Sequence, residues 1–110
     1  MVELKGTVAS KPVKKTSGEV YNFEEKVGIF VKGKILVVEQ TYPKMMEYIT
    51  KAKAIIAETG GILSHAAIVS RELGIPCIVG VKNITKILKT GDEIELDLKT
   101  GEIKILEHKR

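Results

Sequence analysis

The stretch Gly60-Gly61-Ile62-Leu63-Ser64-His65-Ala66-Ala67-Ile68-Val69-Ser70-Arg71 sets one histidine between a glycine pair and the start of an apparent helix. An imidazole pKa near about 6.5 leaves a neutral ring with a nucleophilic nitrogen available at physiological pH. The first turn of a helix has backbone N–H groups without intrahelical acceptors, and the macrodipole there favours an anion. A phosphoryl group on His65 would therefore be stabilised where it forms. Gly60 and Gly61 let the backbone turn sharply and approach such a ligand. Ser64 stands at the N-cap position, where its hydroxyl either caps the helix or donates to a phosphate. The competing reading of the same residues is a structural histidine beside an ordinary glycine turn.

Such a site needs a strand to deliver it and a helix to hold it. Ala54-Ile55-Ile56-Ala57 reads as a short buried strand, and the run after His65 reads as a helix stopped by Gly74 and Pro76. Upstream, Lys34 to Glu39 is continuous apolar, β-branched sequence, as expected of a strand covered on both faces. Thr41 as cap and Pro43 just inside the start predict a helix with Met45, Met46, Tyr48 and Ile49 on its apolar face, running to Lys53. This strand, helix, strand, helix order implies a right-handed parallel crossover with His65 beyond the carboxyl end of a strand, where open α/β sheets bind ligands.

The flanks predict further elements. Val2 to Ala9 and Glu19 to Phe23 read as strands around a polar turn, and Gly28 to Val31 as another short strand. Cys77 to Gly80 reads as a third strand of the parallel set, and Asn83 to Leu88 as a brief helix begun at an asparagine cap. Glu93 to Leu98 and Glu102 to Leu106 alternate strictly about Lys99-Thr100-Gly101, the pattern of an antiparallel hairpin with one wet face. That alternation puts Asp92, Glu93, Glu95 and Asp97 on a solvent face and argues against a metal site there. The expected fold class is α/β: a mixed parallel and antiparallel β/β/α sandwich with two main helices and a short one.

The run from Gly60 to Pro76, GGxxSHAAIVxRELGIP, resembles the phosphohistidine signature of the phosphoenolpyruvate-utilising enzymes: phosphoenolpyruvate synthase, pyruvate phosphate dikinase and enzyme I of the sugar phosphotransferase system. Ile78-Val79-Gly80, Leu88 to Asp92 and Glu95-Leu96-Asp97 are similar to that family's closing strands and turns. Gly6 to Ser10 and Gly18-Glu19-Val20 resemble its opening hairpin, so the likeness spans nearly the whole chain. The resemblance implies a swivelling domain whose histidine, here His65, carries a phosphoryl group between a nucleotide site and a phosphoenolpyruvate or pyruvate site. It also implies phosphate-supporting roles for Gly60, Gly61 and Ser64. Arg71 falls on the signature arginine, yet it lies about 120° around an ideal helix from His65, so an interdomain contact is as good a reading as a phosphate contact. Two positions depart from the pattern: Leu63 where dikinases and enzyme I have threonine, and Ala57 where a threonine is frequent. Regulation by phosphorylation at position 63 is not expected, and a second hydroxyl near the site is missing. These departures favour an alternative, a docking or regulatory module that is not phosphorylated.

At 110 residues the chain is expected to form a single swivelling domain, residues 1–110, with no room for a pyruvate-binding barrel of roughly 250 residues. No GxxxxGK[ST] run occurs either. The sites between which a carrier moves are thus expected on separately encoded nucleotide-binding and phosphoenolpyruvate- or pyruvate-binding subunits. Magnesium is expected on those partners, and no tightly bound cofactor or metal on this chain. No apolar run approaches about 18 residues and the amino-terminal residues lack a signal-peptide plan, so a cytoplasmic protein without a membrane segment is expected. Eighteen basic against fourteen acidic residues give a formal charge of +4, which suits an anionic substrate or acidic partner. Scattered lysines and 5% aromatic residues do not make a nucleic-acid surface. The lone cysteine, Cys77, excludes an internal disulfide and is expected in the core, and His108 in a charged tail is expected to be exposed and inert.

Overall fold

Every residue of strand β4, Ile35–Val38, is buried, as its unbroken apolar sequence requires. In the computed structural model, which describes residues 4–26, 28–30 and 32–108, β4 lies at the middle of an eight-stranded sheet. The other strands are β1 (Leu4–Lys5), β2 (Thr7–Ser10), β3 (Lys15–Asn22), β5 (Ala54–Ala57), β6 (Cys77–Val79), β7 (Glu93–Asp97) and β8 (Glu102–Glu107), in the spatial order β1-β8-β7-β3-β4-β5-β6-β2. Strands β3, β4, β5 and β6 run parallel, with Val37 opposite both Asn22 and Ile56. The pairs β3 with β7, β7 with β8, β1 with β8 and β2 with β6 are antiparallel.

The helices fall where the parallel connections need them. A 3-10 turn at Pro43–Met45 leads into α1 (Met46–Lys51), which joins β4 to β5. Helix α2 (His65–Leu73) joins β5 to β6 and ends at Gly74, and the short α3 (Ile84–Ile87) precedes the hairpin. Alternation along the strands feeds two cores. Val20, Ile35, Val37, Ile56 and Ile78 point inward to Ile94, Leu96 and Leu98 of the antiparallel part, while Leu36, Val38, Ile55, Ala57 and Cys77 point outward to Ala66 and Ala67 of α2 and Ile49 of α1. The architecture is therefore the expected α/β fold, sheet on sheet on helix. No helix among the described residues is long and apolar enough to cross a membrane.

Closure of the sheet depends on one glycine. Only Gly6 separates β1 from β2, yet these strands sit at opposite ends of the strand order, so the sheet curls until its ends share one stretch of chain. Gly6 N–H donates to the carbonyl of Gly101 at 3.1 Å. A Cβ on Gly6 would lie 2.5 Å from the Val79 carbonyl oxygen, an approach only glycine allows.

Several expectations are corrected. The opening hairpin does not form: β2 pairs with β6, and β3 pairs with β7 and β4. Val20 and Tyr21 of β3 are buried and need cover on both sides, which a mid-sheet position supplies and a hairpin with β2 would not. The first strand is broken at Gly6, and Val2 lies outside the described residues. Residues 28–30 are not in a strand; Gly28 has φ +64° and Ile29 is 84% exposed, while Val31 lies outside the described residues. Asn83 occupies the N-cap of α3 in the left-handed region, φ +62°, with no side-chain cap bond. Asp92 is not on a solvent face but wholly buried, accepting the Lys89 N–H at 2.8 Å. His108 is exposed as expected, but its Nδ1 stands 3.3 Å from the Asp92 carboxylate.

Candidate functional site

The parallel ladder continues past the carboxyl ends of β4 and β5. Glu58 N–H bonds to the Val38 carbonyl at 2.9 Å and Thr59 N–H to the Glu39 carbonyl at 3.0 Å. The Thr59 hydroxyl donates to the same Glu39 carbonyl at 3.0 Å. The loop after β4 is thus laced beside the loop that leads to His65. Gly60 turns that second loop with φ +97°, and a Cβ there would stand 2.8 Å from the Ser64 Cβ.

Ser64 caps α2. Its Oγ accepts the Ala67 N–H at 3.3 Å and donates to the Gly61 carbonyl at 2.7 Å, so both functions of the hydroxyl are engaged. His65 follows as the first helical residue and is partly buried. The amides of His65 and Ala66 have no hydrogen-bond acceptor among the described residues, which leaves the donors expected at a helix start.

The imidazole is held by a residue the sequence reading assigned elsewhere. Thr41 was expected to cap α1, but the position before its leading turn is Tyr42, and no side chain caps it. The Thr41 Oγ1 lies instead 2.8 Å from His65 Nδ1. Pro43 removes a helix N–H that a cap could have served, which leaves the threonine hydroxyl available to the neighbouring loop. The signal that could have found Thr41 is topological: loops at the carboxyl ends of adjacent parallel strands converge. Ala57 is buried in the outer core, so the hydroxyl beside His65 comes from the end of β4 and not from β5.

Gln40, Thr41, Thr59, Gly60, Ser64, His65 and Ala66 line a cleft of about 210 Å3. With the imidazole it holds the Gln40 amide and the unbonded N–H groups of His65 and Ala66, a set suited to a small anion, while the Thr59 and Ser64 hydroxyls donate to the Glu39 and Gly61 carbonyls. A larger cleft of about 260 Å3 lies between Phe30, Tyr48 and the Glu47–Lys51 ion pair, with no histidine among the described residues that line it. Gly61 is open to solvent and contributes its carbonyl to Ser64. Arg71 is exposed; its Nη1 donates to the Ala9 carbonyl at 3.1 Å and its Nη2 to the Ile62 carbonyl at 2.7 Å. Leu63 is 81% exposed beside the histidine. Beneath α2, burial pushes the Cys77 thiol up to about 11, which makes it an inert core group. Among the described residues no three His, Cys, Asp or Glu side chains converge as metal ligands.

A three-layer β/β/α domain that presents one imidazole at a helix start, beyond the carboxyl ends of a parallel sheet, is the class that fold and site define. Residues 30–101 match the model of the family described as PEP-utilising enzyme, mobile domain, and the chain belongs to that family. It is 41% identical over 98 residues to the probable phosphoenolpyruvate synthase of Archaeoglobus fulgidus, an alignment covering 89% of this chain and 13% of that protein. The N-terminal part of Enzyme I, solved by NMR, superposes with a TM-score of 0.59 at 26% identity, over 68% of this chain and 31% of that one. A chain of Thermococcus kodakaraensis aconitase X superposes with a TM-score of 0.64 at 28% identity, over 97% of this chain and 100% of that one. The chain spans 8–13% of the length of the phosphoenolpyruvate synthases it matches first. In those relatives this unit is a small part of a much larger protein.

Proposed function

We propose that this chain is a phosphoryl-group carrier in which His65 is phosphorylated transiently on Nε2. The bond between Thr41 Oγ1 and His65 Nδ1, 2.8 Å long at the first residue of α2, carries the reading. In the tautomer that donates the Nδ1 proton to Thr41, Nε2 keeps its lone pair for the phosphoryl donor. That lone pair attacks phosphorus, the P–N bond forms, and the bond from phosphorus to the leaving oxygen of ATP or phosphoenolpyruvate breaks with its electron pair. An acceptor such as pyruvate then takes the group in the reverse sense. The free amides of His65 and Ala66 and the glycine turn stabilise the phosphate between the two steps.

Donor and acceptor sites lie, in this reading, on separate nucleotide-binding and phosphoenolpyruvate- or pyruvate-binding subunits in the cytoplasm. Mg2+ belongs to those sites, where it neutralises charge during transfer. Labelled phosphoenolpyruvate, and separately labelled ATP, supplied with such subunits test the proposal. The expected product is an acid-labile, base-stable label that is absent from His65→Ala; label persisting in that variant would overturn the assignment of His65.

A second reading has one observation in its favour. Leu63 and Ile62 are 81% and 55% exposed beside the imidazole, as in a surface that docks on a partner without being phosphorylated. Under that reading His65→Ala binds the partner subunits as wild type does, and no donor yields phosphohistidine.

A further inference from the structure

One guanidinium joins the loop before His65 to a strand far from it in sequence. The β2–β6 ladder shifts register between Val8 and Ser10, a bulge centred on Ala9. The Ala9 carbonyl accepts from Arg71 Nη1 at 3.1 Å, and the Ile62 carbonyl from Nη2 at 2.7 Å. No carboxylate pairs with Arg71 among the described residues. Its position about 120° around α2 from His65 means that it draws the Ile62 carbonyl toward a different flank of the helix from the imidazole. The carbonyl and N–H of a trans peptide point in opposite directions, so fixing the Ile62 oxygen also fixes the Leu63 N–H.

We infer that Arg71 is a positioning residue: it clamps the 60–64 loop against the bulge in β2, so that the peptides beside His65 present donors to a phosphate and keep the Ile62 carbonyl turned away. The inference rests on the carrier reading and gives the signature arginine a role through the loop, without contact to the phosphate. A planar fork is needed because two carbonyls on separate segments are bridged at once, which a lysine ammonium on a single flexible stem does poorly. A loosened loop can turn its carbonyl toward a trianionic transition state, where it repels.

The full chain and potassium phosphoramidate test this without any partner subunit. Imidazole nitrogen attacks phosphorus, the P–N bond to the reagent breaks, and ammonia leaves after protonation; mass mapping separates His65 from His108. Arg71→Ala and Arg71→Lys are expected to label His65 roughly five-fold more slowly, the size of a lost solvent-exposed charged hydrogen bond. Amide exchange at residues 61–64 should quicken, and millimolar methylguanidine should restore part of the Arg71→Ala rate. A purely stabilising arginine would lower the unfolding midpoint of Arg71→Ala but leave the labelling rate of the folded variant at the wild-type value. Wild-type labelling or wild-type loop exchange in Arg71→Ala would overturn the clamp. Failure of wild type to label at all would overturn the carrier reading and with it this role, while loop exchange still reports whether the clamp exists.

Discussion

The parallel and antiparallel halves of the sheet share the inner core, yet they end very differently. In the antiparallel half, β7 and β8 are joined by the tight Lys99-Thr100-Gly101 turn, and their polar positions face outward. In the parallel half, β4 and β5 each end in a loop that must travel to a helix, and the two loops run side by side until Thr41 meets His65. Parallel connections cannot close on themselves, so they leave unpaired backbone and mobile side chains at one end of the sheet. A hairpin satisfies its own ends. The lesson is that chemistry accumulates where connections are long and adjacent, and stability where they are short.

That contrast can be broken most forcefully in the shared core. Leu96→Ala in β7, fully buried, should cost about 3 kcal/mol in urea unfolding. Below its melting range the same variant should still label His65 with phosphoramidate at the wild-type rate. A large loss of labelling in the folded variant would show that the hairpin shapes the site after all.

A smaller effect is expected in the parallel half, with the opposite signature. Thr41→Val removes the partner of His65 Nδ1 and should slow labelling roughly ten-fold while changing stability by no more than about 1 kcal/mol. Nitrogen-15 NMR of the ring should show the two tautomers more evenly populated. An unchanged rate would mean that the hydroxyl does not select Nε2.

Ser64→Ala tests the cap next, with about 1 kcal/mol expected in thermal or urea unfolding. At neutral pH the least visible change concerns Cys77, whose thiol should resist alkylation until the protein unfolds. Its folded pKa, about 11, lies above the ordinary 9.0, so the native state holds the thiol proton more tightly than the unfolded chain. The stability this contributes is complete below pH 9 and is lost as pH rises through about 11. Cys77→Ser should flatten that alkaline decline; an unchanged curve would assign it to other groups.

The legibility of the chain follows the same division. Ala54 to Ala57 is a strand with the bounds its composition suggests, and the hairpin is where strict alternation puts it. The misreadings cluster where a residue's partner is distant. Gly28 to Phe30 has strand-like composition but pairs with no strand among the described residues. Asp92 has the look of a surface carboxylate, yet it is buried, with the Lys89 N–H and the ring of His108, sixteen residues on, against its carboxylate. Thr41 beside Pro43 reads as a cap until the adjacent strand brings His65 to it.

By itself the sequence determined the strand, turn and helix that carry His65. Ala54 to Ala57, Gly60, Ser64 and Gly74 act through burial, φ preference and capping within a few residues of where they stand. Only the tertiary structure decided what surrounds the ring. The Thr41 bond spans 24 residues and the Arg71 bond to Ala9 spans 62, and a contact of that reach depends on which strands lie side by side. Strand order is settled by the collective burial of two cores, a quantity no local window contains.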